Sequence, residues 1–547
     1  MMRKWNVYLV WIACGLMPVL AATSLTAADA DLLARFYFIG SAQLSALPDA
    51  AKINEVGRLA TTRDLEEKAL QKLAHAPGDL FGRRIEGAKA ECGVLVRPLL
   101  DDLRQAEWVA EAHDRSPLEP EWTLAVRLSE DRAKIWNSNL SQLVALWRIG
   151  APVAVKQNGT LGWEVKTPAS VLFRFVQAGA WCVVGLGPDR LAAQAEMVKQ
   201  IGAKGRPFVS AEKSWIEADA DLARLTAALR IYGLFTNAPA QLPQVHLTVA
   251  GKAENVRTNL RLRYPENQTW QIEPWQMPTN ALRDPLVSFT AVQGIGPWLS
   301  RNNAVRSLGI NPLPNQFFSW SYPKDRFAMF TFAAVPVSDP TNVINRLEST
   351  LPGFRAANYP TYQVGEISRS TNRTELVWRN LPFLAPFLRP FKGTSTGFVI
   401  GGLFANYLST NKPPAELFAQ ILGRTNLLYY QWEITQEQLN TWPPLLQLIS
   451  MIAENPKTHL PIVTRMPPGL PVQPWFLELA PKLGNSVTEL TVTSPRELAL
   501  VRKSYLGLTG LELALLGRYL ENAAFPLLGY QLPARPLPVS AKTSSKP

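Results

Sequence analysis

The stretch Gly393–Gly397, GTSTG, matches the Gly-x-Ser-x-Gly pattern of serine hydrolases, in which a serine on a sharp turn acts as the nucleophile. The chain order of Ser395, then Glu433 or Glu454, then His459 allows a serine–acid–histidine triad. The pattern requires a buried strand before the serine and a helix after it. Here LRPFK precedes the serine and the strand-like FVIGGLF follows it, so the context favours a polar turn. Ser395 and His459 remain the candidate catalytic residues of an alternative interpretation, an exported serine hydrolase.

A second candidate is the glycine turn Gly185–Pro188, GLGP, between the apolar run WCVV and the helical pattern LAAQAEMVKQIG. A turn of this kind can hold a phosphate at a helix N-terminus. A dinucleotide fingerprint needs a third glycine where Arg190 stands, and Pro188 lacks an N–H that would donate to a phosphate. The same Gly-x-Gly-Pro returns at 294–297. We interpret both as structural turns and predict no cofactor.

The metal-ligating and thiol side chains are sparse. The four histidines are far apart in sequence and form no His-x-x-x-His pair, so no metal site is predicted. Of the three cysteines, Cys14 lies in the N-terminal apolar segment, and Cys92 and Cys182 remain. In an oxidising compartment these two are a candidate disulfide. The alternative is two buried thiols that pack as small apolar side chains.

The N-terminus has the three parts of a secretory signal peptide. Arg3 and Lys4 precede the apolar run VYLVWIACGLMPVL, and small residues follow it. Leu25-Thr26-Ala27 and Ala28-Asp29-Ala30 are the candidate cleavage boxes, so cleavage is predicted near Ala27 to Ala30. We expect export to the periplasm, the cell surface or the medium. If the segment is not cleaved, the chain is instead a membrane-anchored envelope protein.

The composition indicates a folded chain of several domains with a basic surface. The 547 residues are 47% hydrophobic and 18% charged, which is ample for packed cores. The formal net charge of +12 favours anionic partners, for which an anionic glycan, a membrane surface or a protein are the candidates. Nucleic acid is not expected, because no basic stripe interleaved with aromatic residues is present. The 17 tryptophans are predicted to be mostly core, and a few on one face would form a binding groove.

Strand-like runs that end in a turn and lead into a helix recur along the chain. Ser494 with Glu497, Thr435 with Gln438, and Thr509 with Glu512 fit capping boxes, so a helix is predicted after each. Residues 171–176 with 180–185, and 246–249 with 257–264, are predicted hairpins. The expected fold is α+β, with two tandem lobes of antiparallel or mixed sheets, helices packed on one face, and a helix-rich segment before them.

The predicted boundaries follow the turn-rich segments. They are a signal peptide over 1–30, an N-terminal strand and helix-rich segment over 31–118, a first lobe over 119–310 and a second lobe over 311–532. The Pro-rich tail 533–547 is predicted to be disordered.

The chain resembles uncharacterised exported bacterial proteins of the domain-of-unknown-function type, built from repeated strand-strand-helix modules. The resemblance rests on the signal peptide, ARFYFIGSAQL, LLYYQWEIT and SPRELALVRKSYLGLTGLELALLGRYL. It implies location and architecture and transfers no catalytic residue. With the composition, it favours a non-enzymatic exported protein that binds or scaffolds a partner.

Overall fold

The computed structural model describes residues 31–81, 88–115, 120–157, 159–166, 171–188, 190–210, 213–229, 242–323, 331–358, 365–371, 373–380, 385–393, 396–404, 411–443, 473–522 and 525–526. Within these residues, no helix is both long and apolar enough to cross a lipid bilayer. The fold mixes helices with a large antiparallel sheet, as the α+β prediction requires.

The first ten strands and their helices run from residue 32 to residue 263. In chain order they are β1 (Leu32–Phe38), α1 (Ser41–Leu44), α2 (Ala51–Gly57), α3 (Ala60–Phe81), α4 (Ala88–Gln105), β2 (Trp108–His113), β3 (Glu121–Arg127), α5 (Glu130–Leu146), β4 (Val153–Gln157), β5 (Thr160–Lys166), β6 (Val171–Ala178), β7 (Trp181–Pro188), α6 (Ala192–Lys204), β8 (Ile216–Asp221), α7 (Leu222–Leu229), β9 (Gln244–Lys252) and β10 (Asn255–Arg263).

The remaining elements run from residue 288 to residue 521. They are β11 (Ser288–Gln293), α8 (Gly296–Arg301), α9 (Asn303–Ser307), β12 (Gln316–Ser321), β13 (Thr331–Val337), α10 (Pro340–Asn358), β14 (Glu366–Arg369), β15 (Leu376–Arg379), β16 (Phe387–Lys392), β17 (Gly397–Gly402), α11 (Ala415–Ile421), β18 (Leu427–Ile434), α12 (435–443), α13 (Gln473–Leu479), β19 (Asn485–Ser494), β20 (Glu497–Ser504) and α14 (Gly510–Glu521).

Two of the local predictions near the C-terminus have opposite outcomes. The capping box of Thr509 and Glu512 is confirmed at the start of α14, with both reciprocal hydrogen bonds present. The helix predicted after Ser494 is wrong, because residues from Glu497 form strand β20. Pro495 and Arg496 are the turn of a hairpin between β19 and β20. Strand pairing on both sides of β20 overrides the local capping signal.

The strands form one continuous sheet, and every pairing is antiparallel. The first ten strands lie in the order β4–β5–β6–β7–β3–β2–β1–β8–β9–β10. The last ten repeat that order as β14–β15–β16–β17–β13–β12–β11–β18–β19–β20. Strands β10 and β20 pair with each other and join the two sets, with Leu260 opposite Leu500. We use this pair as the common reference position from which the two sets are compared strand by strand.

Helices cover both faces of the sheet, so the prediction of helices on one face is wrong. We call the face that carries Ala125 and Val183 the front, and α6 packs on it through Met197. The adjacent residues Val126 and Cys182 point to the back, where α4 and α5 pack. Strands β3 and β7 are apolar on both sides, and each apolar side needs cover.

The last ten strands are covered in the same way. Helix α11 lies on the front in one core with Tyr430 and Ile400, and α10 lies on the back against Val399. Strand β11 precedes the predicted boundary at residue 311 yet pairs with β12 and β18 beyond it. The paired strands thus group β11 with the second set.

Helix α3 of the first set packs against α14, at the end of the described chain. The Lys72 ammonium donates hydrogen bonds to the carbonyl oxygens of Leu520 and Glu521, both at 2.9 Å, and of Asn522, at 3.3 Å. These carbonyls end a helix and have no partner within it. Lys72 therefore caps α14 across a large sequence separation.

Candidate functional site

The residues predicted to do chemistry are not brought together in the described part of the molecule. Ser395 and His459 both lie outside the described residues. No disulfide joins Cys92 to Cys182, and both thiols are buried in one hydrophobic core. Burial raises the pKa of the Cys182 thiol to about 12. Among the described residues, no group of three or more His, Cys, Asp or Glu side chains is arranged to hold a metal.

The glycine turn at Gly185–Pro188 belongs to strand β7, and helix α6 starts four residues after it. The carboxylate of Glu121 accepts a hydrogen bond of 2.9 Å from the Gln194 N–H in the first turn of α6. A protein carboxylate thus stands where a phosphate would bind. The described tryptophans are mostly core, as for Trp136 and Trp320, although Trp298 is 66% exposed.

A row of charged side chains crosses the front face between β2 and β10. In cross-strand register, Glu111 lies beside Arg35, Arg35 beside Asp219, Asp219 beside His246, and His246 beside Arg261. Arg35 donates to Glu111 at 2.6 Å and lies 3.8 Å from Asp219. Glu111 and Asp219 are buried, whereas Arg261 is exposed, so the row runs from the interior of the fold to solvent.

The buried end of the row is a network that holds the start of β1 against the end of β2. Burial alone would raise the pKa of Glu111, but the His113 contact at 3.0 Å and the Arg35 charge hold it below its ordinary value of 4.5. Asp31 pairs with Arg115 and lies 3.6 Å from His113, and these contacts outweigh desolvation and lower its pKa too. The carboxylates of this network stay ionised near neutral pH.

The corresponding row in the last ten strands is apolar at its buried end, although Glu489 takes the place of His246. Followed strand by strand from the Leu260–Leu500 pair, the places of Glu111, Arg35 and Asp219 are taken by Phe318, Ala291 and Tyr430. These three residues are fully buried in one core, which Trp275, Met277, Leu282 and Leu286 also join. The repeated strand order therefore does not require a charged row.

The exposed end of the charged row widens into a basic surface at the junction of β9, β10 and β20. Lys252, Arg257, Arg261, Arg263 and Lys503 all project from the front face there, and we call them the basic floor. All but the half-buried Arg257 are exposed. These three strands are described throughout, and Glu497 is the one acidic residue on their front face.

Among the described residues, two features of the basic floor leave positive charge uncompensated. Arg257 lies directly opposite Lys503 across the β10–β20 pairing, and like charges in that position destabilise a sheet. The Arg257 Nε atom is buried and makes no hydrogen bond with the described residues. On the flanking strands, the carboxylate of Asp219 pairs with Arg35 and that of Glu489 pairs with Arg424.

The sequence contained a signal for the basic floor that motif reasoning missed. Strand β10 reads NVRTNLRLR, with polar or basic residues alternating with Val256, Thr258, Leu260 and Leu262. This alternation places Arg257, Arg261 and Arg263 on one face of one strand. Lys503 could not be placed with them, because β20 was predicted as a helix.

Comparison of the chain with models of protein families, with curated proteins and with solved structures finds no match.

Proposed function

We propose that this chain is an exported, non-enzymatic, two-lobed binding protein whose partner is an extended anionic polysaccharide held on the basic floor. Each set of ten strands with its helices is one lobe, and the β10–β20 pairing joins the lobes. The observation that carries the proposal is the cross-strand pair of Arg257 and Lys503 on an exposed face. A bound sulfate or carboxylate would turn their repulsion into two favourable ion pairs.

The position of the basic floor favours an extended chain over a flat membrane. On one side of the floor α6 covers the front face, and on the other side α11 and residues 275–286 cover it. A bilayer would meet these covers before it reached the strands between them. A polysaccharide chain can lie between the covers, along a strand whose alternate side chains repeat every ~7 Å.

The test is titration with dextran sulfate, a sulfated polysaccharide, at low salt and at about 0.5 M salt. Substitution of Arg257, Arg261 and Lys503 by Ser should weaken binding at least about tenfold, because three of the five cations are lost. Binding by this variant should also depend less on salt concentration, because it makes fewer of the ion pairs that salt screens.

The matched control removes three cations from helices of the back face, by substitution of Lys68, Arg104 and Lys134 by Ser. These side chains are exposed and pair only with surface carboxylates. The control should bind dextran sulfate as the wild type does. Equal losses in both variants would mean that net charge alone attracts the polymer. Binding to phosphatidylglycerol vesicles without binding to dextran sulfate would replace the polysaccharide with a membrane.

A further inference from the structure

The back face of the sheet carries a row in which the two sets of strands differ in volume. In the first set, Trp122 on β3 lies beside Leu186 on β7, and Phe173 and Val165 follow on β6 and β5. Traced from the Leu260–Leu500 pair, the corresponding row of the second set is Ala333, Gly401, Leu388 and Leu376. A tryptophan and a leucine are thus replaced by an alanine and a glycine.

A cavity of about 520 Å³ occupies this position in the second set. Its lining includes all four residues of the row, Leu351 from helix α10, and Trp378 at the edge of the sheet. Among the described residues that line it, Thr331 supplies the single polar side chain. In the first set, side chains of the aromatic core that contains Trp163, Phe173 and Phe175 fill the space between sheet and helices.

The comparison of the two back-face rows shows that the fold does not require the cavity. The same strand order is built in the first set with larger side chains in this row, so the architecture does not need the cavity. The cavity opens to solvent, so its apolar lining is left unburied, which costs stability. Its volume lies within the usual range of small-molecule sites, about 300–1,000 Å³.

We infer that the cavity between α10 and strands β13, β15, β16 and β17 is a binding site for an uncharged, apolar small molecule. The hydrophobic walls disfavour a charged ligand, because no cation or carboxylate is among the described residues that line them to offset its desolvation. The site is distinct from the basic floor, which lies on the front face at β10 and β20. Its ligand chemistry is therefore independent of the anionic partner.

The probe is N-phenylnaphthylamine, an uncharged apolar dye that fluoresces when it leaves water. The wild type should bind it saturably. Ala333→Phe, which restores an aromatic side chain where the first set has Trp122, should weaken binding at least about tenfold by filling the cavity. Leu351→Trp fills the same space from helix α10 and should have the same effect, so a failure of one variant to fold leaves the other.

The control is Ala154→Phe, the same substitution at an exposed position of edge strand β4. It should bind the dye as the wild type does, and all three variants should retain dextran sulfate binding. Unchanged dye affinity in a folded Ala333→Phe or Leu351→Trp protein would overturn the inference, as would dye binding that never saturates. Loss of dextran sulfate binding alone would bear on the basic floor and leave the cavity site standing.

Discussion

Arg257 and Lys503 face each other across the pairing that joins the first ten strands to the last ten, and both side chains project from the front of the sheet. Lys503→Glu replaces the repulsion with an opposite-charge pair. We expect it to stabilise the protein by about 0.2–1 kcal/mol in urea unfolding and to weaken dextran sulfate binding. Lys503→Gln is the control and should give a smaller gain. A destabilised Lys503→Glu protein would mean that the two cations do not repel.

The Lys72 ammonium should be a strong link between helix α3 and helix α14. Lys72→Met keeps most of the side-chain volume but removes the donor to three carbonyl oxygens. The expected cost is about 1–3 kcal/mol in the free energy of unfolding, because the partly buried carbonyl oxygens of Leu520 and Glu521 lose this donor. The control is Lys68→Met, one turn earlier, where the exposed ammonium pairs with Asp64. That change should stay within about 0.5 kcal/mol.

The Glu111 and Asp31 network makes stability depend on pH. Both carboxyls have pKa values in the folded state below their ordinary values, 4.5 for Glu111 and 3.8 for Asp31. Their stabilising contribution is complete above those values and is lost as pH falls through the folded-state pKa. The urea concentration at the unfolding midpoint should therefore decrease as the pH is lowered below 4.5. In the Glu111→Gln variant this midpoint should decrease less steeply with falling pH. An equal pH slope in wild type and variant would contradict this.

The two described cysteines should behave as inaccessible thiols. Both side chains are completely buried, and the pKa of Cys182 is raised to about 12. Native protein should not react with a thiol reagent at about pH 8, whereas urea-unfolded protein should react at both positions. Addition of a reductant should leave the unfolding midpoint unchanged. A non-reducing peptide map that links Cys92 to Cys182 would contradict the arrangement of this core.

Export is tested by the N-terminal sequence of the protein made in its host. Cleavage at the predicted boxes gives chains that start after Ala27 or Ala30. Strand β1 begins at Leu32, so both cuts leave the first strand complete. A chain that retains residues 1–30 and sediments with membranes would support the anchored envelope protein instead.

Local features of the fold were predictable from sequence. The hairpins at 171–185 and 246–264 exist as β6–β7 and β9–β10, and the capping box at Thr509 starts α14. Periodicity and capping act within a few residues, so a single sequence contains the information. The α+β class followed from the same patterns.

Long-range relationships were not predictable in the same way. Strand β20 is stabilised by pairing with β10, more than two hundred residues earlier in the chain, and its local sequence fits a helix start as well. The charged row depends on the register of five strands, and no spacing rule connects Arg35 to Asp219. The two helix-covered faces escaped prediction because continuous apolar runs do not say which element covers which side.

The pairing of β10 with β20 also sets an order of events during biosynthesis. Strand β10 is complete when β20, on the order of two hundred residues further along, has not yet been made. At about 5–20 residues per second, β10 waits roughly 10–50 s for its partner. In that interval it is an edge strand with open N–H and C=O groups, the kind of edge on which nascent chains aggregate. Charged side chains on an edge strand oppose pairing with other chains, and β10 carries three arginines through that interval.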